Sequence, residues 1–193
     1  KPKRAIKFAH LFNKLFCILP FEPPYFTKHG LYSKYIGYPP LERLKNFTKL
    51  ESDNKYIILA LGSRRGEVIK HLEFAREIIN LIKKEIPDAV FVLPTFDEFK
   101  EEISSKLEGV TLATTEEEKS FFMQRAIFGI YKSGTGAVEA SICALPIVIF
   151  YKANFISYIL IKMMAKIKYA NIINILLGKA AIPEFLQFDC TPE

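Results

Sequence analysis

From Tyr56 onward the chain alternates between short apolar runs and longer amphipathic stretches. YIILAL, Tyr56 to Leu61, is a continuous apolar run of strand length. VIKHLEFAREIINLIKKE then puts Val68, Leu72, Ala75, Ile79 and Ile82 on one face with lysines and glutamates opposite, which is helical spacing. AVFVLP predicts a second strand, EFKEEISSKLE a helix, GVTLAT a third strand, TEEEKSFFMQRA a helix and AIFGIYK a fourth strand. A further helix opens after SGTG, and PIVIFYK closes the series as a fifth strand. Regular strand–helix alternation predicts an α/β fold: a Rossmann-like parallel sheet with right-handed crossovers and flanking helices. In such sheets ligands sit at the carboxyl ends of the strands.

Residues 1–50 lack this rhythm. A basic amphipathic stretch, RAIKFAHLFNK, leads into the apolar run LFCILP, the proline- and aromatic-rich FEPPYFTKHG and a weak strand, SKYIG. Pro39-Pro40 and the charged LERLKNFTKLESDNK read as a linker. After Tyr151 the pattern loosens again. Phe155 to Lys168 is an apolar stretch flanked by lysines. It reads either as a core-packed helix with snorkelling lysines or as a helix lying in a membrane interface. No apolar run reaches the ~18 residues of a transmembrane helix.

Composition narrows the partners. With 193 residues, half of them hydrophobic and 17 of them Phe, the chain can build one domain, or one domain and a remnant of another. The net charge of +6 suits nucleic acid, an anionic membrane surface or phosphorylated small molecules. Its lysines and arginines are scattered and no nucleic-acid motif is present, which argues against the first. Cys17, Cys143 and Cys190 fit neither a zinc site nor a disulfide framework, so a reducing compartment is expected. His10, His29 and His71 stand far apart and read as surface or packing residues. Asp97-Glu98, Glu101-Glu102 and Glu116-Glu117-Glu118 read as solvated faces rather than an acid/base pair. There is no DxD motif to hold a nucleotide sugar through a metal, and neither metal nor cofactor is expected.

Two turns carry the candidate chemistry. In ILALGSRRGEV a buried strand ends at Gly62 and runs into a helix with Arg64 and Arg65 at its mouth. Gly62 permits a tight turn, Ser63 can cap the helix or bond a phosphate oxygen, and Arg64 can fork onto two oxygens of a diphosphate. The same spacing fits an ordinary βα turn with solvated arginines. In GIYKSGTGAVEAS, Ser133-Gly134-Thr135-Gly136 forms a second hydroxyl- and glycine-rich turn after a strand. Glu139 in the following helix suits two adjacent hydroxyls, as on ribose, or equally the favourable dipole near a helix N-terminus.

Together these segments resemble the lipid-A-disaccharide synthases, inverting glycosyltransferases of the GT-B class. LPFEPPYFTKHG is similar to that family's LPFEPPYF-(E/T)-KHG element, YIGYPPLE to its FVGHPLLE, and LALGSRRGEV to its LLPGSRxxEV turn. The run from Lys132 through Gln187 resembles its SGTATLEA, NLLAGR and PELLQ region. The resemblance implies metal-independent transfer of a 2,3-diacylglucosamine unit from UDP-diacylglucosamine to 2,3-diacylglucosamine 1-phosphate, forming a β-1,6 disaccharide phosphate. It implies that Gly62, Ser63 and Arg64 contact the UDP diphosphate, with Arg64 stabilising the leaving group. Ser133, Gly134 and Thr135 would line the same crevice and Glu139 would hold the ribose. Asn174 and Gln187 would edge the donor site, Asn174 as a second catalytic residue. The setting implied is a Gram-negative bacterium, with the enzyme cytoplasmic and peripheral to the inner membrane.

Leu61, Tyr38, Ile173, Ile175 and Leu177 depart from the family's motifs. Its members are about twice this length by that resemblance. The expected organisation is therefore residues 1–50 as a remnant of the N-terminal domain and linker, and residues 51–193 as the UDP-sugar-binding C-terminal domain. The acceptor site and general base would come from that absent domain, on a separate chain, so this chain alone is not expected to turn over. The alternatives are a catalytically inactive UDP-binding fragment and a peripheral membrane protein with no nucleotide site.

Overall fold

A computed structural model describes residues 2–152 and 169–192. The expectation for Phe155 to Lys168 lies outside the described residues. The chain divides into two units, Lys1–Asn46 and Phe47–Glu193.

In the first unit the basic amphipathic stretch forms α1 (Pro2–Leu11), followed by β1 (Lys14–Cys17), α2 (Pro23–Thr27), β2 (Tyr32–Tyr35) and α3 (Pro40–Leu44). The two short helices start on prolines, whose fixed φ suits a first turn. β1 and β2 pair in parallel from Lys14↔Tyr32 to Cys17↔Tyr35. Phe8 of α1 stacks on Phe26 of α2, ring centroids 6.0 Å apart.

The second unit holds the expected alternation: β3 (Lys55–Ala60), α4 (Arg65–Glu85), β4 (Ala89–Pro94), α5 (Lys100–Ser104), β5 (Val110–Ala113), α6 (Glu116–Arg125), β6 (Ala126–Lys132), α7 (Thr135–Ile142) and β7 (Ile147–Tyr151). The helix expected over EFKEEISSKLE is shorter than its pattern. It opens with a 3₁₀ turn at Asp97–Phe99 and ends at Ser104, before the left-handed Gly109 (φ +71°) turns the chain into β5. Two described elements of this unit were not legible in the sequence, α8 (Ile172–Leu177) and a sixth strand, β8 (Glu184–Leu186), and in the first unit α3 stands in the stretch expected to be a linker.

All six strands of this unit run parallel in the order β5-β4-β3-β6-β7-β8. Counted within the unit, that is the 3-2-1-4-5-6 order of doubly wound sheets. Period-two geometry splits each strand between two cores. Ile57, Leu59 and Leu61 enter one with Val68, Leu72, Ala75 and Ile79 of α4, while Ile58 enters the other with Ala137 and Ala140 of α7. Because helices cover both faces, the strands read as apolar runs rather than as alternation. α4 is finished by charge: Glu67 stands in its first turn and Lys83 and Lys84 in its last, matching the helix dipole. α6 begins in a capping box, with Thr115 Oγ1 accepting from Glu118 N–H at 3.1 Å and Glu118 Oε2 accepting from Thr115 N–H at 3.0 Å.

Candidate functional site

The strand order reverses between β3 and β6, so the connections leaving their carboxyl ends diverge to opposite faces and leave a crevice between them. These two strands are neighbours in register, Ala60 opposite Tyr131. The two turns singled out in the sequence therefore lie side by side on one edge of the sheet.

The first turn, Leu61–Arg64, is set by Gly62 at φ +134°, a conformation closed to most L residues. A Cβ there would fall 2.9 Å from Glu67 Oε2 and 3.3 Å from Lys132 Cδ. Arg64, extended at φ −109°, ψ 140°, is the N-cap of α4, and no side chain caps the helix. Ser63 therefore does not cap it. It stands one residue earlier, exposed at the tip of the turn. The positive end of a 21-residue helix faces the crevice with its first turn open.

Glu67, which sequence spacing does not single out, joins the two turns. Its Oε1 accepts from Arg64 Nη1 at 3.1 Å, and its Oε2 lies 3.1 Å from Lys132 Nζ at the end of β6. Burial works against its charge, but hydrogen bonds and positive charge from Lys132 and then Arg64 outweigh it and hold the carboxyl below its ordinary value. The one signal in the sequence is an acidic residue at the third helical position behind two arginines. Arg65 is drawn aside instead, bonded to Glu102 of α5 at 2.8 Å. Glu102, expected on a solvated face, thus holds an ion pair.

The second turn is pinned by its first residue. Ser133 N–H donates to the Phe150 carbonyl at 3.0 Å, and its hydroxyl donates to the Ala170 carbonyl at 2.8 Å. Ser133 can offer the crevice only lone pairs of its Oγ, because that proton is committed. Gly134 is the extended N-cap of α7, again with no side-chain cap, and Thr135 and Gly136 are exposed in the first turn. Glu139 follows one turn further along, half-buried. Beneath it, burial pushes the Tyr131 phenol well above its usual range, aided by Cys143 and Glu139 nearby.

Asn174 and Gln187 divide. Gln187 leaves β8 at the same sheet edge, its N–H donating to the Tyr151 carbonyl at 2.9 Å and its backbone left-handed at φ +53°. Asn174 is fully buried and its amide is spent locally. Nδ2 donates to Ile182 O at 2.8 Å and Glu184 Oε1 at 2.6 Å, while Oδ1 accepts from Ala181 N and Ile182 N, both at 2.9 Å. All four hydrogen-bonding positions of the Asn174 amide are thus filled within this segment. Glu184 in turn accepts from the N–H groups of Ala170 and Asn171, and Ala170 is the residue that receives the Ser133 hydroxyl.

His71 is the packing residue expected. It is 2% exposed, edge-on to Phe150, with Nδ1 2.9 Å from the Leu61 carbonyl and Nε2 3.4 Å from the Lys152 carbonyl. Burial lowers its pKa, opposed by the two carbonyls and reinforced by Lys132 and Lys70. A histidine held neutral in the fold contributes stability above its unfolded pKa of about 6.5, lost as pH falls toward the lower folded value. Urea midpoints of the wild type should therefore drop as pH falls below about 6.5, and His71→Gln should flatten that slope. An unchanged slope in the variant would assign it to other groups. Among the described residues no cluster of His, Cys, Asp or Glu could hold a metal ion.

A family model, Lipid-A-disaccharide synthetase, matches residues 1–193. A lipid-A-disaccharide synthase of Rickettsia prowazekii is 35% identical over 98% of this chain and 53% of its own length. One from Rickettsia typhi is 36% identical with the same coverage. The chain thus spans about half the length of these curated relatives. Among solved structures, the S. aureus MnaA–UDP co-structure shares the fold at TM-score 0.58 and 16% identity, over 88% of this chain and 52% of that one. Matched from end to end, with both of its strand-end turns inside the match, the chain belongs to the lipid-A-disaccharide synthetase family.

Proposed function

We propose that this chain carries the donor-binding half of an inverting, metal-independent transfer of 2,3-diacylglucosamine from UDP to 2,3-diacylglucosamine 1-phosphate, forming the β-1,6 disaccharide phosphate. The observation that carries the reading is the meeting of two open helix N-termini, Arg64 and a glycine-led turn at the reversal point of a doubly wound sheet. The displacement at the anomeric carbon releases UDP, so negative charge grows on the diphosphate as the glycosidic bond breaks. Arg64 and the first N–H groups of α4 and α7 stabilise that charge where it develops. Gly62, Ser63, Gly134 and Thr135 shape the anion seat, Ser133 pins the turn through its bonds to Phe150 and Ala170, Glu139 accepts from the ribose hydroxyls, and Gln187 borders the donor. Asn174 acts by holding the segment that braces Ser133.

The acceptor site and general base are assigned to the part of the relatives that these residues do not match, in a longer polypeptide or a separate chain. By itself, this half binds donor without turnover, since proximity and proton transfer are both missing. A net charge of +6 and acylated substrates suit the anionic cytoplasmic face of an inner membrane. Among the described residues no helix is long and apolar enough to cross a membrane.

Calorimetry tests the donor site. UDP should bind the folded chain in the micromolar-to-millimolar range. Arg64→Ala should weaken both UDP and inorganic pyrophosphate by about 10-fold or more, the value of a charge-assisted hydrogen bond. Glu139→Ala should weaken UDP and leave pyrophosphate unchanged. A folded wild-type chain that takes up no UDP would remove the proposal.

A further inference from the structure

We infer that Lys132 is a second diphosphate-binding cation of this crevice, kept in place by Glu67 until the nucleotide arrives. The inference rests on the donor-site reading above and adds a residue to it. Lys132 is the last residue of β6, directly before the serine-glycine turn, and its side chain is 15% exposed. Its stem passes over Gly62, where a Cβ would come within 3.3 Å of Cδ. Its ammonium lies 3.1 Å from Glu67 Oε2 and 5.8 Å from the centre of the Tyr151 ring. The charge thus stands between the two turns, at the level of the sheet edge, while the exposed guanidinium of Arg64 reaches in from the first turn alone.

The arrangement around Glu67 explains how two like charges are kept there. One carboxylate, 25% exposed, serves Arg64 with one oxygen and Lys132 with the other. The triad carries one net positive charge, with two open helix N-termini adding to the same sign. The carboxylate bridging cations from two turns presents two anionic acceptor oxygens to them, as a phosphate group can, and it belongs to the helix rather than to a ligand. A diphosphate brings more charge and more acceptor oxygens than Glu67. It can take the outer hydrogens of both cations without displacing the carboxylate from the first turn of α4. Lys132 suits this role as a compact three-donor charge, where Arg64 supplies the planar fork.

The test is a UDP, UMP and uridine series by calorimetry on the full chain, with circular dichroism to establish that each variant is folded. Lys132→Gln should weaken UDP by about 10-fold or more and leave uridine unchanged, with UMP between, because the ammonium bonds phosphate oxygens and nothing on the nucleoside. Glu67→Gln should bind UDP at least as tightly as the wild type. The double variant Glu67→Gln/Lys132→Gln separates the roles. If Lys132 touches the diphosphate, the double variant stays weak. If it serves only to neutralise Glu67, the double variant regains wild-type affinity and the inference falls. UDP affinity unaltered in Lys132→Gln also overturns it, leaving the donor site standing. Failure of the wild type to bind UDP overturns the donor site and this residue with it.

Discussion

Asn174→Ala is expected to cost about 3 kcal/mol of stability, the size of a broken buried hydrogen-bond network. The side chain closes four hydrogen bonds at a fully buried position, two given and two received. Alanine returns none of them. It leaves the N–H groups of Ala181 and Ile182, the Ile182 carbonyl and one Glu184 oxygen to whatever water can enter. For a chain of this size the loss should appear as a melting temperature lower by roughly 6–12 °C. The effect should reach the crevice too, because Glu184 holds Ala170 and Ala170 anchors the Ser133 hydroxyl. A melt moved by less than about 2 °C would show that this segment unfolds apart from the sheet.

Gly62→Ala is expected to remove UDP binding almost entirely, by about 100-fold. Alanine at φ +134° carries backbone strain of about 1–3 kcal/mol. Its methyl would also stand 2.9 Å from Glu67 Oε2 and 3.0 Å from Glu67 Cβ. Both problems are relieved by the same movement, a shift of the turn away from Lys132 and the first turn of α4. That movement carries Ser63 and Arg64 off the crevice. A charge-assisted hydrogen bond to the diphosphate is worth about 1.5–3 kcal/mol, so breaking two suffices for the stated effect. Calorimetry with UDP and a thermal melt check the two parts separately. UDP affinity within about threefold of the parent would show that the diphosphate does not sit on this turn.

The two experiments differ in kind because the two residues do. Gly62 is visible in the sequence as a glycine closing an apolar run, and its purpose follows from backbone freedom alone. Asn174 is visible only by its place in a family motif, which says nothing of where its amide points. Local spacing specifies whether a residue lies on a strand end. It does not specify which of several polar groups consumes a side chain's hydrogen bonds. The same gap hides Lys132 and Glu67, which read separately as a strand-end lysine and an ordinary helix-start acid. It hides the commitment of the Ser133 hydroxyl to Ala170 as well, a partner 37 residues away.

β8 and the β1–β2 pair mark a different limit. Glu184–Leu186 is three residues long, too short for any period to register, and only its ladder with β7 makes it a strand. In the first unit the weak strand read at SKYIG is β2, whereas β1, Lys14–Cys17, mixes charged and apolar residues without a strict alternation and is a strand only through its parallel pairing with β2.

What the sequence determined by itself was the succession of elements from β3 to β7 and the placing of the two glycine-bearing turns at strand ends, because apolar runs, helical periodicity and glycine placement act over a few neighbouring residues. What only the tertiary structure decided was the order of the strands. That order sets β6 beside β3 and so brings Arg64, Glu67 and Lys132 together, since a meeting across about 65 residues is fixed by packing and sheet pairing, which no local pattern encodes.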